Sequence, residues 1–323
     1  MKDHLPLIRV EGLKKHFSLK NKHVLQAVDG VTFDVFRGET LGLAGESGCG
    51  KTTVGRIMIR LYEPTDGRVF FQGENIFTGK KMPHKIRRKI HMIFQHPYAA
   101  LDPLMTVGDI IGEPMEIYRI AKGRERIKKV QNLLVKVGLH PEYINRFPHE
   151  LSGGQCQQVG IARALASEPE FIICDEPISA LDVSVRSQIV NLLKELQQEF
   201  GLTYLFITHD LSMLKYISDR VVVMYMGRIM EMAECQVLFS SPGHPYTRAL
   251  LAAVPTLDHG ARKKQKRFVL QGEIPSPIGS FIGCRFQARC PRAKKVCFLV
   301  EPELIDIGGG HRVSCHFPLN QKV

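Results

Sequence analysis

The chain has no uninterrupted apolar run near the roughly 18 residues a membrane-spanning helix needs. Its start, Met1-Lys2-Asp3-His4-Leu5-Pro6, lacks the apolar stretch that marks a secretory signal. The expectation is a soluble, cytoplasmic protein whose membrane role, if any, runs through partners. Acidic residues are in deficit: 44 Lys plus Arg face 32 Asp plus Glu, and 44 − 32 gives the net charge of +12. The excess is dispersed over 80–81, 85–89, 124–129 and 262–267, as on solvated faces and loops. Nucleic acid, an anionic membrane surface or a polyphosphate ligand would each use such a charge, and charge alone does not choose among them. Also missing is any Cys-x-x-Cys pair of the kind zinc knuckles favour. Of eight cysteines, Cys49, Cys156, Cys174 and Cys235 are scattered, whereas Cys284, Cys290, Cys297 and Cys315 crowd the last forty residues. In a cytosolic chain such a cluster is more often a metal site than a disulfide framework.

With 323 residues, 44% of them apolar, there is enough chain for one large α/β domain and an appendage. Residues 7–39 alternate apolar and polar, an antiparallel β pattern, and 40–44 reads as a buried strand. A helix is expected over 53–61, with its apolar stripe at Val54, Ile57, Met58 and Leu61. Strands are expected at 69–71, 91–94, 171–174, 204–207 and 221–224, and helices at 106–139, 155–166 and 184–200, the last capped by Gly201. This alternation implies a mostly parallel α/β core with an antiparallel β subdomain and a helical insert at about 97–166. After Pro242 the style changes to one short helix at 246–254, a basic linker at 261–267 and a proline- and cysteine-rich tail. The expected domains are 1–255 and 256–323.

Gly45-Glu46-Ser47-Gly48-Cys49-Gly50-Lys51-Thr52, with Thr53 behind it, is a phosphate-binding loop between a strand and a helix. Its backbone N–H groups would converge on phosphate oxygens, Lys51 would neutralise the β- and γ-phosphates, and Thr52 would put its hydroxyl on Mg²⁺. Chance produces this pattern in only ~1 in 100 chains of this length. The apolar run 171–174 ends in Asp175-Glu176. Asp175 would hold Mg²⁺ through water, and Glu176 would polarise an attacking water as general base. Leu151-Ser152-Gly153-Gly154-Gln155 is a second glycine-rich turn ahead of a helix, suited to gripping a phosphate from another side.

A chain with both glycine motifs and this acidic strand end resembles the ATP-binding subunits of ABC transporters. The resemblance implies an ABC-type P-loop ATPase fold and a station for each remaining motif. Phe17 would stack on adenine, with a core phenylalanine as the competing reading. Gln95 would sense Mg²⁺ and contact transmembrane subunits. Ser179-Ala180-Leu181-Asp182 would carry communication between two ATPases, with Asp182 at the nucleotide. His209, in Thr208-His209-Asp210, would hold the γ-phosphate and support Glu176. In that family, Ser152, Gly153, Gly154 and Gln155 close over the ATP of a facing subunit, so catalysis requires a dimer. Members commonly continue with arginines, whereas here the run is Gln155-Cys156-Gln157-Gln158.

The stretch 96–110, the run 179–185 and His244-Pro245-Tyr246-Thr247-Arg248-Ala249-Leu250 are similar to the dipeptide/oligopeptide importer branch. So is the tail, from Gly272-Glu273-Ile274-Pro275-Ser276-Pro277 through Gly283-Cys284-Arg285-Phe286 and Arg289-Cys290-Pro291 to Cys297 and Cys315. In relatives with this pattern the four cysteines imply a [4Fe–4S] cluster. Zinc is the competing metal, and four free thiols a third reading. The resemblance further implies a paralogous second ATPase, two permeases and an extracytoplasmic peptide-binding protein as partners. It places the chain on the cytoplasmic face of the inner membrane, with no nucleic acid. The alternative is an ATPase of a peripheral enzyme complex such as the phosphonate C–P lyase machinery. A nucleic-acid-acting ATPase would usually join two cores or carry a coiled-coil insertion, and neither is present.

Overall fold

A computed structural model describes residues 5–20, 23–253, 278–279 and 281–320. The start of the chain, the domain boundary expected at 255, the basic linker 261–267 and the segment 272–277 lie outside the described residues. The chain forms two compact units that interleave along the sequence. One comprises Ile8–Asp34, Thr40–Asn75 and the described residues from Thr208 onward. The other comprises Val35–Glu39 and Ile76–Ile207, with the described residues up to Leu7.

The first unit holds an antiparallel sheet in the order Val24–Val35, Ile8–Ser18, Asp66–Phe71, Glu74–Asn75. Ile8 faces Phe71 and Val10 faces Val69, so the alternation of residues 7–39 buries one face of the sheet. A register shift between Glu11 and Lys14 bends the strand at Gly12. Within the same unit Thr40–Ala44, buried at every position, runs parallel to Arg220–Tyr225. That strand turns back through Met226 and Gly227, both at positive φ, into Arg228–Glu234. The tail then adds Arg312–Ser314 antiparallel to it, and Leu304–Asp306 antiparallel to Arg312–Ser314. The strand expected at 221–224 is present, whereas Arg228–Glu234, both tail strands and the helix Leu211–Ile217 were absent from the sequence reading.

The tail is tied to this unit by buried charge. Glu231, with no exposed surface, accepts from the Gly243 and His244 N–H groups and lies 2.7 Å from His311 Nε2. Arg285 donates to Asp29 at 2.5 Å, and Arg228 pairs with both Asp29 and Glu301. Phe286 packs among Tyr225, Tyr246 and His244.

The second unit is built on three parallel strands, Ile90–Ile93, Phe171–Asp175 and Thr203–Ile207, in register Ile90 to Phe171 to Thr203. Phe171–Asp175 and Thr203–Ile207 are buried throughout, which explains their continuous apolar runs. The helical stretch expected at 106–139 is two helices, Val107–Ile117 and Gly123–Lys136. Thr106 caps the first through the Asp109 N–H, and Arg126 bridges Asp109 and Glu116 to join them. Val183–Phe200 buries Ile189, Val190, Leu193 and Leu196 and ends on Gly201 in the left-handed conformation, as the sequence indicates. Among the described residues, no helix is long and apolar enough to cross a membrane.

His91, on the first of these parallel strands, has Ser167 Oγ at 2.6 Å and the Arg88 carbonyl at 3.2 Å from its Nε2. Desolvation depresses its pKa to about 4 from an ordinary 6.5, against the pull of the Arg88 carbonyl and with help from Arg163. A histidine depressed on folding gives stability that is complete above the unfolded pKa and is lost as pH falls toward the folded one. Urea midpoints should therefore decline between about pH 6.5 and 4 in a part that His91→Gln flattens. Equal pH dependence in wild type and variant would remove His91 from that account.

Candidate functional site

Each unit carries one half of the chemistry the sequence reading assigned. In the first, the strand Thr40–Ala44 delivers the chain to the phosphate-binding loop, and the helix Lys51–Met58 begins within the motif, two residues before its expected start. The helix also ends early, with Arg60 at φ +58° and Leu61 exposed rather than on the buried stripe. Gly45 and Gly50 stand at φ +148° and +106°, where a Cβ would meet the Met224 carbonyl oxygen at 2.3 Å and that of Ala27 at 2.1 Å. No other residue fits either place, so the loop is pressed directly onto neighbouring backbone.

Lys51 is buried, and its Nζ donates to the Gly45 and Glu46 carbonyls at 2.8 and 3.0 Å. Thr52 and Thr53 follow in the first helical turn, while Ser47 and Gly48 are exposed at the tip. Burial raises the thiol pKa of Cys49 despite the nearby Lys51 ammonium. Phe17, half-buried at the end of its strand, meets Tyr62 edge to face with 5.6 Å between centroids. It is therefore a partly open ring rather than a core phenylalanine. His209 is exposed, between buried Thr208 and Asp210, whose carboxylate caps the next helix through the Ser212 and Met213 N–H groups.

In the second unit, Asp175 is the buried last residue of its strand, and Glu176 follows at φ +44°. That value is rare for a residue with a Cβ and is the kind of backbone strain found at functional positions. The Glu176 N–H donates to the Ile207 carbonyl at 2.9 Å, and its Oε2 accepts from Gln95 Nε2 at 2.9 Å. Gln95 and Glu176, 81 positions apart in sequence, are thus brought together. Asp182 is exposed as the residue preceding the helix Val183–Phe200, and Arg186 steadies this turn by donating to the Leu181 and Ser179 carbonyls.

Ser152 is the N-cap of Gly153–Leu165 and is exposed. Its Oγ accepts from the Gln155 N–H while Gln155 Oε1 accepts from the Ser152 N–H, a reciprocal cap. An N-terminal end so prepared, with glycines at its first two positions, presents free amide direction and helix dipole to an anion. The run Gln155-Cys156-Gln157-Gln158 turns its middle two residues inward. Cys156 and Gln157 are buried, Cys156 donates to the Pro148 carbonyl, and Gln158 Nε2 donates to the Val137 carbonyl at 2.8 Å. Burial raises the Cys156 thiol to about 11. Tyr98 Oη donates to the Leu151 carbonyl at 2.7 Å, linking the segment after Gln95 to this turn. That link was not read from the sequence, because nothing in an isolated tyrosine announces it.

The four tail cysteines line one pocket with His244, Phe286 and His316. Backbone N–H groups meet the sulfurs: Phe286 at Cys284, Arg292 at Cys290, Lys294 at Cys297 and Phe317 at Cys315. Burial raises Cys284 to about 12 and also raises Cys290 and Cys315. The donor set suits a thiolate-bound group. Among the described residues, however, no set of three or more His, Cys, Asp or Glu side chains is arranged to hold a metal ion. The geometry therefore does not itself carry the expected [4Fe–4S] cluster, nor zinc.

Residues 28–179 match the family described as ABC transporter, and residues 230–297 match the oligopeptide/dipeptide transporter C-terminal region. The oligopeptide transport ATP-binding protein AppF of Bacillus subtilis (strain 168) is 49% identical over 318 residues, 96% of this chain and 97% of its own length. OppF of the same organism, also an oligopeptide transport ATP-binding protein, is 56% identical over 265 residues, covering 81% of this chain and 86% of its own. Among solved structures, the dimeric ATP-binding cassette MJ0796, in a post-hydrolysis state bound to ADP and Pi, superposes with a TM-score of 0.64 at 30% identity. That match covers 71% of this chain and 98% of the cassette. Full-length identity near one half, the two family matches and the cassette fold agree with the loop, strand end and capped turn described above. The chain belongs to the ATP-binding subunits of oligopeptide ABC transporters and is an ABC-type ATPase.

Proposed function

We propose that this chain binds and hydrolyses ATP to energise the import of di- or oligopeptides, working on the cytoplasmic face of the inner membrane. The observation that carries the reading is one chain joining a phosphate-binding loop with buried Lys51 to a C-terminal region matching oligopeptide/dipeptide transporters. That C-terminal match also favours an importer over a phosphonate-degrading complex. The partners under this reading are a paralogous ATPase, two permeases that form the membrane path, and an extracytoplasmic peptide-binding protein. The chain divides accordingly, with the ATPase domain at 1–255, its helical insert at about 97–166, and the tail at 256–323.

The site residues then take definite tasks. Phe17 offers its ring face to adenine. The amides of 45–50 take phosphate oxygens, and Lys51 leaves its carbonyl partners to neutralise them. Thr52, Asp175 and Gln95 serve Mg²⁺. Glu176, turned by its strained backbone and held by Gln95, accepts a proton from the attacking water, and His209 steadies the γ-phosphate. Ser152, Gly153, Gly154 and Gln155 cap the nucleotide of the facing ATPase, and Asp182 signals across that interface. Closure on ATP and opening after hydrolysis provide the stroke. The exposed Ser152 cap and the inward packing of Cys156 and Gln157 support a turn intact for this use.

Glu176→Gln removes the proton acceptor but keeps the side chain's shape. Turnover should fall by about 10²–10³-fold while MgATP still binds and ATP-dependent pairing persists. Wild-type phosphate release by the variant would refute the general-base assignment.

The cysteine pocket is proposed as the seat of a [4Fe–4S] cluster, held by Cys284, Cys290, Cys297 and Cys315. The four thiols, each met by a backbone amide, support it. A cluster there would cross-link a tail too small to build a core of its own. Protein purified without oxygen should carry about four irons per chain and broad visible absorbance. Colourless protein with stoichiometric zinc, or with no metal, would sink this assignment.

A further inference from the structure

The phosphate-binding loop contains one carboxylate, Glu46, in a place meant for a highly charged anion. Unopposed, that charge would repel the phosphates it borders. Opposition comes from the tail. Arg289 reaches Glu46 across 243 positions of sequence and donates twice, from Nη1 to Oε2 at 2.7 Å and from Nη2 to Oε1 at 3.1 Å. The guanidinium side chain is only 6% exposed and the carboxylate 22%, so water screens the pair weakly. A planar fork on a carboxylate fixes direction as well as charge.

The same loop residue is also held by its backbone. The Glu46 N–H donates to Tyr246 Oη at 3.0 Å. Tyr246 is fully buried, packing against Tyr225 at 4.8 Å and Phe286 at 5.3 Å between centroids. Phe286 comes from the same tail segment as Arg289, and Cys290 of the pocket follows directly. The loop's entry is thus braced on both backbone and side chain by residues outside the sequence motif.

We propose that Arg289 is a positioning residue of the nucleotide site. By forking onto Glu46 it cancels the loop's own negative charge and fixes the loop's entry, so that the C-terminal segment sets the affinity for ATP. The proposal rests on the reading that residues 45–52 receive ATP.

The test is equilibrium titration of MgATP into the full-length chain, comparing wild type with Arg289→Ala, Arg289→Lys and the double variant Arg289→Ala/Glu46→Gln. Arg289→Ala should weaken binding by about tenfold. Arg289→Lys keeps charge without the fork and should fall between it and wild type. Removing the exposed repulsion in the double variant should recover most of the loss, to within about threefold of wild type. Recovery separates the two possible roles, because a tail that has merely unfolded cannot be repaired by neutralising Glu46. Wild-type affinity in Arg289→Ala, or a double variant as weak as the single one, overturns the proposal. Failure of the wild type itself to bind MgATP would instead overturn the ATP reading, and this proposal with it.

Discussion

A chain can receive a triphosphate on its backbone only if it turns successive amides to one side, and that turn leaves no room for side chains behind it. Residues 45–50 meet this constraint by pressing Gly45 and Gly50 onto the carbonyls of Met224 and Ala27. Much of the surrounding unit follows from holding those carbonyls in place. The Gly227 N–H donates to Cys49, and the Asp29 N–H donates to Gly227, so the antiparallel sheet, the hairpin and the loop share one set of backbone bonds. Asp29 in turn is gripped by Arg228 and Arg285, which brings the tail into the same structure. A cavity-sized error at this point would not stay local.

The other unit places an acidic pair and a capped helix start at the ends of buried elements. Asp175 and Glu176 stand where an apolar strand stops, and the turn that redirects the chain puts Glu176 at φ +44°. The hydrogen bond from Gln95 to Glu176 joins the residue expected to report on the membrane partner to the one expected to perform chemistry. Tyr98 extends that connection to the carbonyl just before the capped turn at Ser152. A shift of the segment 95–98 therefore reaches both through direct hydrogen bonds.

What the sequence made legible were features carried by local pattern. The phosphate-binding loop, the acidic strand end and the Gly201 cap each need particular residue types at fixed spacing, and each stands where the pattern indicated. Boundaries were less secure: the loop helix begins at Lys51, because its first turn is part of the motif, and Leu61 falls outside it. The hairpin strand Arg228–Glu234 was missed because it is buried on both faces apart from its ends and carries Met and Glu rather than alternating residues. The tail strands are three residues each, too short for any period. Pairings such as Arg289 with Glu46, or Glu231 with His311, join positions 243 and 80 apart and leave no trace in either neighbourhood. They are visible only once the fold has brought the partners within reach.

The proposed function depends on Lys51 and the amides around it being the seat of the nucleotide. The most direct measurement is MgATP-dependent phosphate release by the chain assembled with its membrane partners, set against the same assembly carrying Lys51→Ala. Release in the variant should fall to the background of the assembly's remaining sites, and peptide uptake should fall with it. Undiminished release and uptake with Lys51→Ala would contradict the proposed function.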